Sequence, residues 1–249
     1  MISEGSRSSL LDLWTKWIGR ANRSLRKRGF LGAVRASATM VKSIVRVRLL
    51  WPYLHRLDKI FDWRFSVDTA GTLILPELQT DPGFQDSYGY GPIARYRFFC
   101  LLRQLHVDHS KFVFIDIGCG KGKALLLAAR LPFKRIIGVE HSSKLVEAAE
   151  ENLRTYRGSR RCSTFDLACV DAGEYPIPPE AAVFFFYNPF NENLMRKVLE
   201  NIWRSLREVP RDAYLIYVEP DCKSLLAESG FLTPVKQTSW YSIYKATGG

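Results

Sequence analysis

Asp116, Gly118, Cys119, Gly120 and Gly122 fall within "FIDIGCGKG", an apolar run that ends in an acid and then turns through closely spaced glycines. Glycine lets backbone approach a bound molecule closely and adopt turns that other residues resist. Three ligand classes use such a turn, and spacing separates them. A phosphate loop needs GxxxxGK followed by Ser or Thr. With Gly122 and Lys123 as its GK, the first glycine would fall at Ile117 and the hydroxyl at Ala124, so both requirements fail. A nicotinamide dinucleotide turn needs GxGxxG. Gly118 and Gly120 satisfy its first two positions, but Lys123 stands where the third belongs and Gly122 comes one residue early. Glu140 ends the next apolar run, where an acid can hydrogen-bond a ribose diol. Lys121 and Lys123 are expected in a solvated first helical turn, with a catalytic amine as the competing reading.

These residues need elements to present them, and the chain alternates accordingly. "FVFIDIG" reads as a fully apolar strand, the pattern of a parallel sheet covered on both faces. "KALLLAARL" follows as a helix, "RIIGVE" as a strand, "SSKLVEAAEENLRTY" as a helix and "TFDLACVD" as a third strand. "AVFFFYN" is a fourth strand, "NENLMRKVLENIWRSLRE" a long amphipathic helix and "AYLIYVE" a fifth strand, before a short helix at Cys222 to Glu228. "FLTPVKQ" and "WYSIYKA" are two strands joined by a link short enough to favour antiparallel pairing. The expected fold is α/β: a doubly wound, mostly parallel seven-stranded sheet with an N-terminal helical extension. Residues 1–60 form a basic helical segment, 61–110 a turn-rich connector and helix, and 111–249 the ligand-binding domain. Within the first segment, "LLDLWTKWIG" and "AVRASATMVKSIVRVRLL" have helical rhythm.

An acid two residues before GxGxG, here Asp116 before Gly118, Gly120 and Gly122 with Cys119 between, resembles motif I of the seven-stranded, S-adenosylmethionine-dependent methyltransferases. That resemblance implies the class I fold, with Asp116 receiving the ammonium end of S-adenosylmethionine and Glu140 its ribose. His141 either contacts the ribose or adenine edge or is an ordinary loop histidine. "VDAGEY" looks like motif III, which implies Asp171 near the adenine amine and Ala172 near the ring; a plain strand-end turn and the nearby Asp166 are the competing readings. "FFFYNPF" resembles the Asn/Asp-Pro-Pro-aromatic motif of amino-group methyltransferases, with one proline where two are usual. It implies that the Asn188 side chain and the Pro189 carbonyl accept hydrogen bonds from a substrate amine at the cofactor, with Tyr187 or Phe190 stacking. The alternative is that Asn188 and Pro189 only end a strand and start a helix. "FDWRFSVDTAG", "YGP", "DIGCGKG" and "YNPF" together resemble a group of small bacterial class I methyltransferases, in which glycine is usual where Ser66 stands. By analogy with protein-lysine methyltransferases that carry Tyr-x-Pro before motif I, Tyr88, Tyr90 and Pro92 are expected to line the methyl-transfer channel. Asp62, Arg64, Asp68 and Thr69 are expected as a structural knot beside it or as catalytic groups.

The chain has 249 residues and a formal net charge of +11, and the charge is uneven. Residues 1–57 carry 12 Lys and Arg against two acids, and the remainder 24 against 23. The basic segment therefore suggests an anionic membrane surface or nucleic acid as partner, or a helical lid with a solvated basic face. The sequence shows no apolar run of about 18 residues and no secretory signal. The five cysteines never fall as CxxC and His106, His109 and His141 are isolated, so no metal site is expected and a cytoplasmic location is favoured, with peripheral membrane attachment open. The leading functional expectation is an S-adenosylmethionine-dependent methyltransferase, N-directed on a protein or small-molecule amine. The rivals are a nucleic-acid methyltransferase using the basic arm and a non-catalytic membrane- or RNA-binding protein on the same scaffold. A nicotinamide oxidoreductase ranks last because of the misplaced glycine.

Overall fold

The structure is a computed structural model that describes residues 51–71 and 90–248. The helices expected within residues 10–50, and Tyr88 with the turn-rich stretch around it, lie outside the described residues. The chain divides into two compact units, 1–57 and 58–249. The second carries everything below.

Helix α1 runs Trp51–Phe65, so the connector expected from residue 61 begins only after Phe65. Helix α2, Arg95–Arg103, leads to a single 3-10 turn and then β1, Val113–Ile117. The rest alternates: α3 (Lys123–Ala128), β2 (Ile136–Glu140), α4 (Ser143–Thr155), β3 (Phe165–Cys169), β4 (Ala182–Tyr187), α5 (Glu192–Glu208), β5 (Ala213–Val218), α6 (Lys223–Glu228), β6 (Leu232–Gln237) and β7 (Tyr241–Ala246). The strands form one sheet in the order β3-β2-β1-β4-β5-β7-β6. The first five are parallel, and β7 inserts antiparallel between β5 and β6. The terminal pair is antiparallel as its short link requires, with β6 as the edge. Pro234 sits on that edge at a register irregularity, where a missing N–H is tolerated.

The alternation of side chains along fully buried strands makes two cores, one on each face. Phe114, Ile136, Val183, Phe185, Ile216 and Val218 pack with α2, α3 and Phe61 of α1. Ile115, Ile137, Phe184, Phe186, Leu215 and Tyr217 pack with α5 and α6. Helix α5 buries Leu194, Met195, Val198, Leu199, Ile202 and Leu206, one stripe of an amphipathic helix. It begins at Asn191, whose side chain accepts from the N–H groups of Asn193 and Leu194.

Sequence order reverses between β1 and β4. Ligands of open α/β sheets bind in the crevice beyond the strand ends at that switch point.

Candidate active site

At the switch point lies a cavity of about 910 Å³, counting its open mouth. Asp116, Gly118, Cys119, Gly120, Glu140, His141, Asp171 and Ala172 line it, as do Tyr90, Tyr187 and Pro189. These come from the ends of β1, β2, β3 and β4 and from the segment before α2. Gly122 and Asn188 are not among the lining residues. Gly122 instead closes the turn against α4, close to Ala149.

Asp116 is the penultimate residue of β1 and only 3% exposed. Its carboxylate accepts no hydrogen bond among the described residues, an unusual state for a buried charged group. Burial, with the nearby Glu140 charge adding to it, pushes its carboxyl well above the usual carboxylate range. Glu140 is held differently. Its Oε2 accepts from the Gly120 N–H at 2.9 Å, and its Oε1 accepts from the N–H groups of His141 at 2.9 Å and Ser142 at 3.1 Å. Burial still raises its pKa, against those three bonds, which favour the ionised form. The Glu140 carboxylate thus has a fixed orientation at the cavity wall.

The glycine turn fits tightly. Gly118 has φ 81°, and a Cβ there would stand 2.5 Å from Pro189 Cβ. Gly120 has φ 53°, and a Cβ there would stand 2.2 Å from the Tyr90 ring. Both positions need glycine for conformation and for space. Asp171 accepts from the Gly173 N–H at 2.7 Å and shapes the strand-end turn that brings Ala172 to the cavity. Asp166, its competitor, is drawn off to Arg135 at 2.8 Å.

Asn188 follows β4 with φ 40°, a left-handed conformation that Asn tolerates better than most residues. Its side chain is committed within the fold: Nδ2 donates to Asp221 at 2.8 Å, and Oδ1 accepts from the Tyr217 hydroxyl at 3.1 Å. The strand end therefore offers the cavity Tyr187, Pro189 and Phe190, while the Asn188 carboxamide holds the bend from behind.

Lys123 departs from the solvated position expected of it. It is 2% exposed, lines the cavity, pairs with Asp58 at 2.6 Å and lies 4.4 Å from the centroid of the Phe61 ring. Helix α1 supplies both partners, so the helix packs over the start of α3. Lys121 pairs with the exposed Asp68 at 2.9 Å. The expected knot exists around Asp62 and Thr69, which bond at 2.6 Å. Arg64 is exposed beside Phe65 and outside the knot. Ser66 has φ 57°, in the left-handed region that favours glycine.

Buried Lys123 and the cavity-lining Ile93, Leu145, Phe185 and Leu194 carried no spacing signal in the sequence. Asp58 is 65 residues before Lys123, and nothing local marks the two as partners.

A parallel sheet reversed at β1/β4, an antiparallel β7 inserted beside β5, an acid with no hydrogen-bond partner among the described residues ahead of a glycine turn and a second acid ending β2 have the arrangement of the class I methyltransferase fold. Residues 114–209 match the family model described as a methyltransferase domain. Over 76 residues, 30% of this chain, the sequence is 34% identical to the ribosomal protein L11 methyltransferase of Clostridium botulinum (strain Eklund 17B / Type B), covering 23% of that protein. It is 31% identical over 77 residues to that of Thermotoga maritima, covering 31% of this chain and 28% of the relative. The match thus spans about a quarter of the length of these relatives. A predicted N6-adenine-specific DNA methylase from Listeria monocytogenes str. 4b F2365 superposes with a TM-score of 0.48 at 15% identity, over 64% of this chain and 52% of that one. Among the described residues no helix is long and apolar enough to cross a membrane.

The residues fit the cofactor. The orphaned Asp116 carboxylate would hold the ammonium of S-adenosylmethionine, the fixed Glu140 carboxylate the ribose hydroxyls, and Asp171 with Ala172 the adenine end. Bound there, the cofactor supplies a methyl group on a positively charged sulfur.

Proposed function

We propose that the protein is an S-adenosylmethionine-dependent N-methyltransferase acting on an amine of a protein or small molecule. The observation that carries the methyl-transfer reading is the unpartnered, buried Asp116 beside the glycine turn at the sheet's switch point. A cationic group bound there would compensate a carboxylate that accepts no hydrogen bond among the described residues. Beside the glycine turn, where Pro189 packs on Gly118 and Tyr90 on Gly120, Tyr187, Pro189, Phe190 and Tyr90 form the wall that would meet the acceptor. Three aromatic rings give the acceptor an apolar wall to stack against. The Pro189 carbonyl can accept a hydrogen bond from it and aim its lone pair. The work of these side chains is alignment, since holding nucleophile and methyl in line accounts for up to about 7–11 kcal/mol of such barriers. Tyr90 stays protonated rather than acting as a base, its hydroxyl donating to the Thr69 carbonyl: burial, with Asp62, Asp58, Asp68 and Asp116 around it, raises its pKa well above the usual phenol value. The relatives' names, which specify a ribosomal protein, favour a protein as the acceptor.

The second reading, a nucleic-acid methyltransferase, is favoured by the charge bias of residues 1–57. Both are tested by incubating the full chain with methyl-labelled S-adenosylmethionine and fractionated cell extract. Label entering protein or small amines supports the proposal. Label entering nucleic acid, in a reaction that weakens steeply with salt, supports the second reading. No transfer to any fraction, with partner binding through the basic segment, would leave a non-catalytic scaffold.

A further inference from the structure

We propose that Asp62 is a positioning residue for cofactor binding: through the Thr69 loop it fixes Tyr90 against Gly120. The inference rests on the reading of the cavity as an S-adenosylmethionine site.

Asp62 lies on α1, 9% exposed, and does not line the cavity. Its carboxylate accepts three hydrogen bonds from one short loop: from the Thr69 N–H at 2.7 Å, the Thr69 hydroxyl at 2.6 Å and the Ala70 N–H at 2.5 Å. Charge-assisted bonds of this kind are the strong class, and three converging on one carboxylate fix the loop's path. Thr69 is fully buried, and its carbonyl accepts from the Tyr90 hydroxyl at 2.7 Å. The Tyr90 ring in turn occupies the space beside Gly120 that a Cβ would need. The Gly120 N–H then donates to Glu140. A continuous series of contacts therefore joins α1 to the second acid of the cavity. Asn152 braces the same loop, accepting from the Asp68 N–H at 2.6 Å and donating to the carbonyls of Asp68 and Lys121 at 3.0 Å each.

The consequence is specific. The family match begins at residue 114, yet the wall facing Gly120 is set by Tyr90, held through Thr69 and Asp62. A Tyr90 released from Thr69 would turn about its Cα–Cβ bond and change the shape of the cavity without unfolding the sheet. The carboxylate's contribution to binding thus passes through the tyrosine.

The test is calorimetric titration of the full chain with S-adenosylhomocysteine, for wild type, Asp62→Asn, Tyr90→Phe and the double variant, each with its thermal midpoint. Asp62→Asn is expected to weaken binding about tenfold and Tyr90→Phe about fivefold, each the loss of a buried hydrogen bond. Because both act on one ring, the double variant should stay near tenfold rather than reach the roughly 50-fold of independent effects. Thr69→Val should behave like Asp62→Asn, and Thr69→Ser, which restores the hydroxyl, should recover most of the affinity. Should Asp62→Asn fail to fold, Tyr90→Phe and the two Thr69 variants carry the comparison. Single variants that bind within twofold of wild type, or losses that multiply in the double variant, would overturn the inference while leaving the cofactor reading intact. A wild-type protein that does not bind S-adenosylhomocysteine would overturn both.

Discussion

Asp116 is buried, carries no hydrogen-bond partner among the described residues, and has a carboxyl pKa raised by burial and by Glu140. The free fold therefore holds its proton more tightly than the unfolded chain does. That proton's contribution to stability is fully present below the unfolded pKa, near the ordinary carboxylate value, and is lost as pH rises through the raised folded value. A bound ammonium favours the ionised carboxylate and expels the proton. Binding of S-adenosylhomocysteine should thus tighten as pH climbs through the raised pKa and should release protons, seen as a heat that varies with the buffer's ionisation enthalpy. In Asp116→Asn the release should shrink to the share of Glu140. Lys123 makes a second case. Lys123→Met would remove the ammonium 2.6 Å from Asp58 and should lower stability by about 2–3 kcal/mol in a denaturant titration, less than for a fully buried pair because Asp58 is 13% exposed. Ser66, just after α1, makes a third: Ser66→Gly relieves a left-handed φ and should raise stability by about 0.5–1 kcal/mol, opposite in sign to a glycine inside α1. The acid-and-glycine spacing of Asp116 to Gly122 was legible because local backbone geometry dictates it. The burial of Lys123 was not, because its charge is matched by a residue far away in sequence.

The elements followed the same division. Strands β1, β2, β4 and β5 announce themselves as apolar runs because helices cover both faces of the sheet, and α5 because its apolar residues keep one stripe. The terminal strands were legible as a pair, but the insertion of β7 between β5 and β6 depends on tertiary pairing that no local pattern encodes. The reach of α1 to Phe65 was hidden for a related reason. "FDWRF" contains no stop signal, and the turn after it is built by Asp62 folding back onto Thr69. Asn152 on α4 locks that turn to the glycine loop and is only 3% exposed. Asn152→Ala would strand the Asp68 N–H and two carbonyls at once. It should cost about 2–3 kcal/mol of stability by chemical denaturation. It should also weaken cofactor binding beyond what the stability loss explains, since the Lys121 carbonyl belongs to the turn.

At the scale of the molecule, the charge is divided between a basic N-terminal stretch and a nearly neutral domain that carries the cavity. Cofactor affinity should therefore depend little on ionic strength, whereas any association through residues 1–57 should fall with it. The central claim concerns the domain: the cavity between β1 and β4 takes S-adenosylmethionine and not a dinucleotide. The most direct measurement is calorimetric titration of the purified chain with S-adenosylmethionine, S-adenosylhomocysteine and NAD, with Asp116→Ala as the control. Saturable binding of both sulfur ligands, at least tenfold weaker in Asp116→Ala and absent for NAD, is the predicted result. Failure of both sulfur ligands to bind, or binding of NAD that Asp116→Ala abolishes, would contradict it.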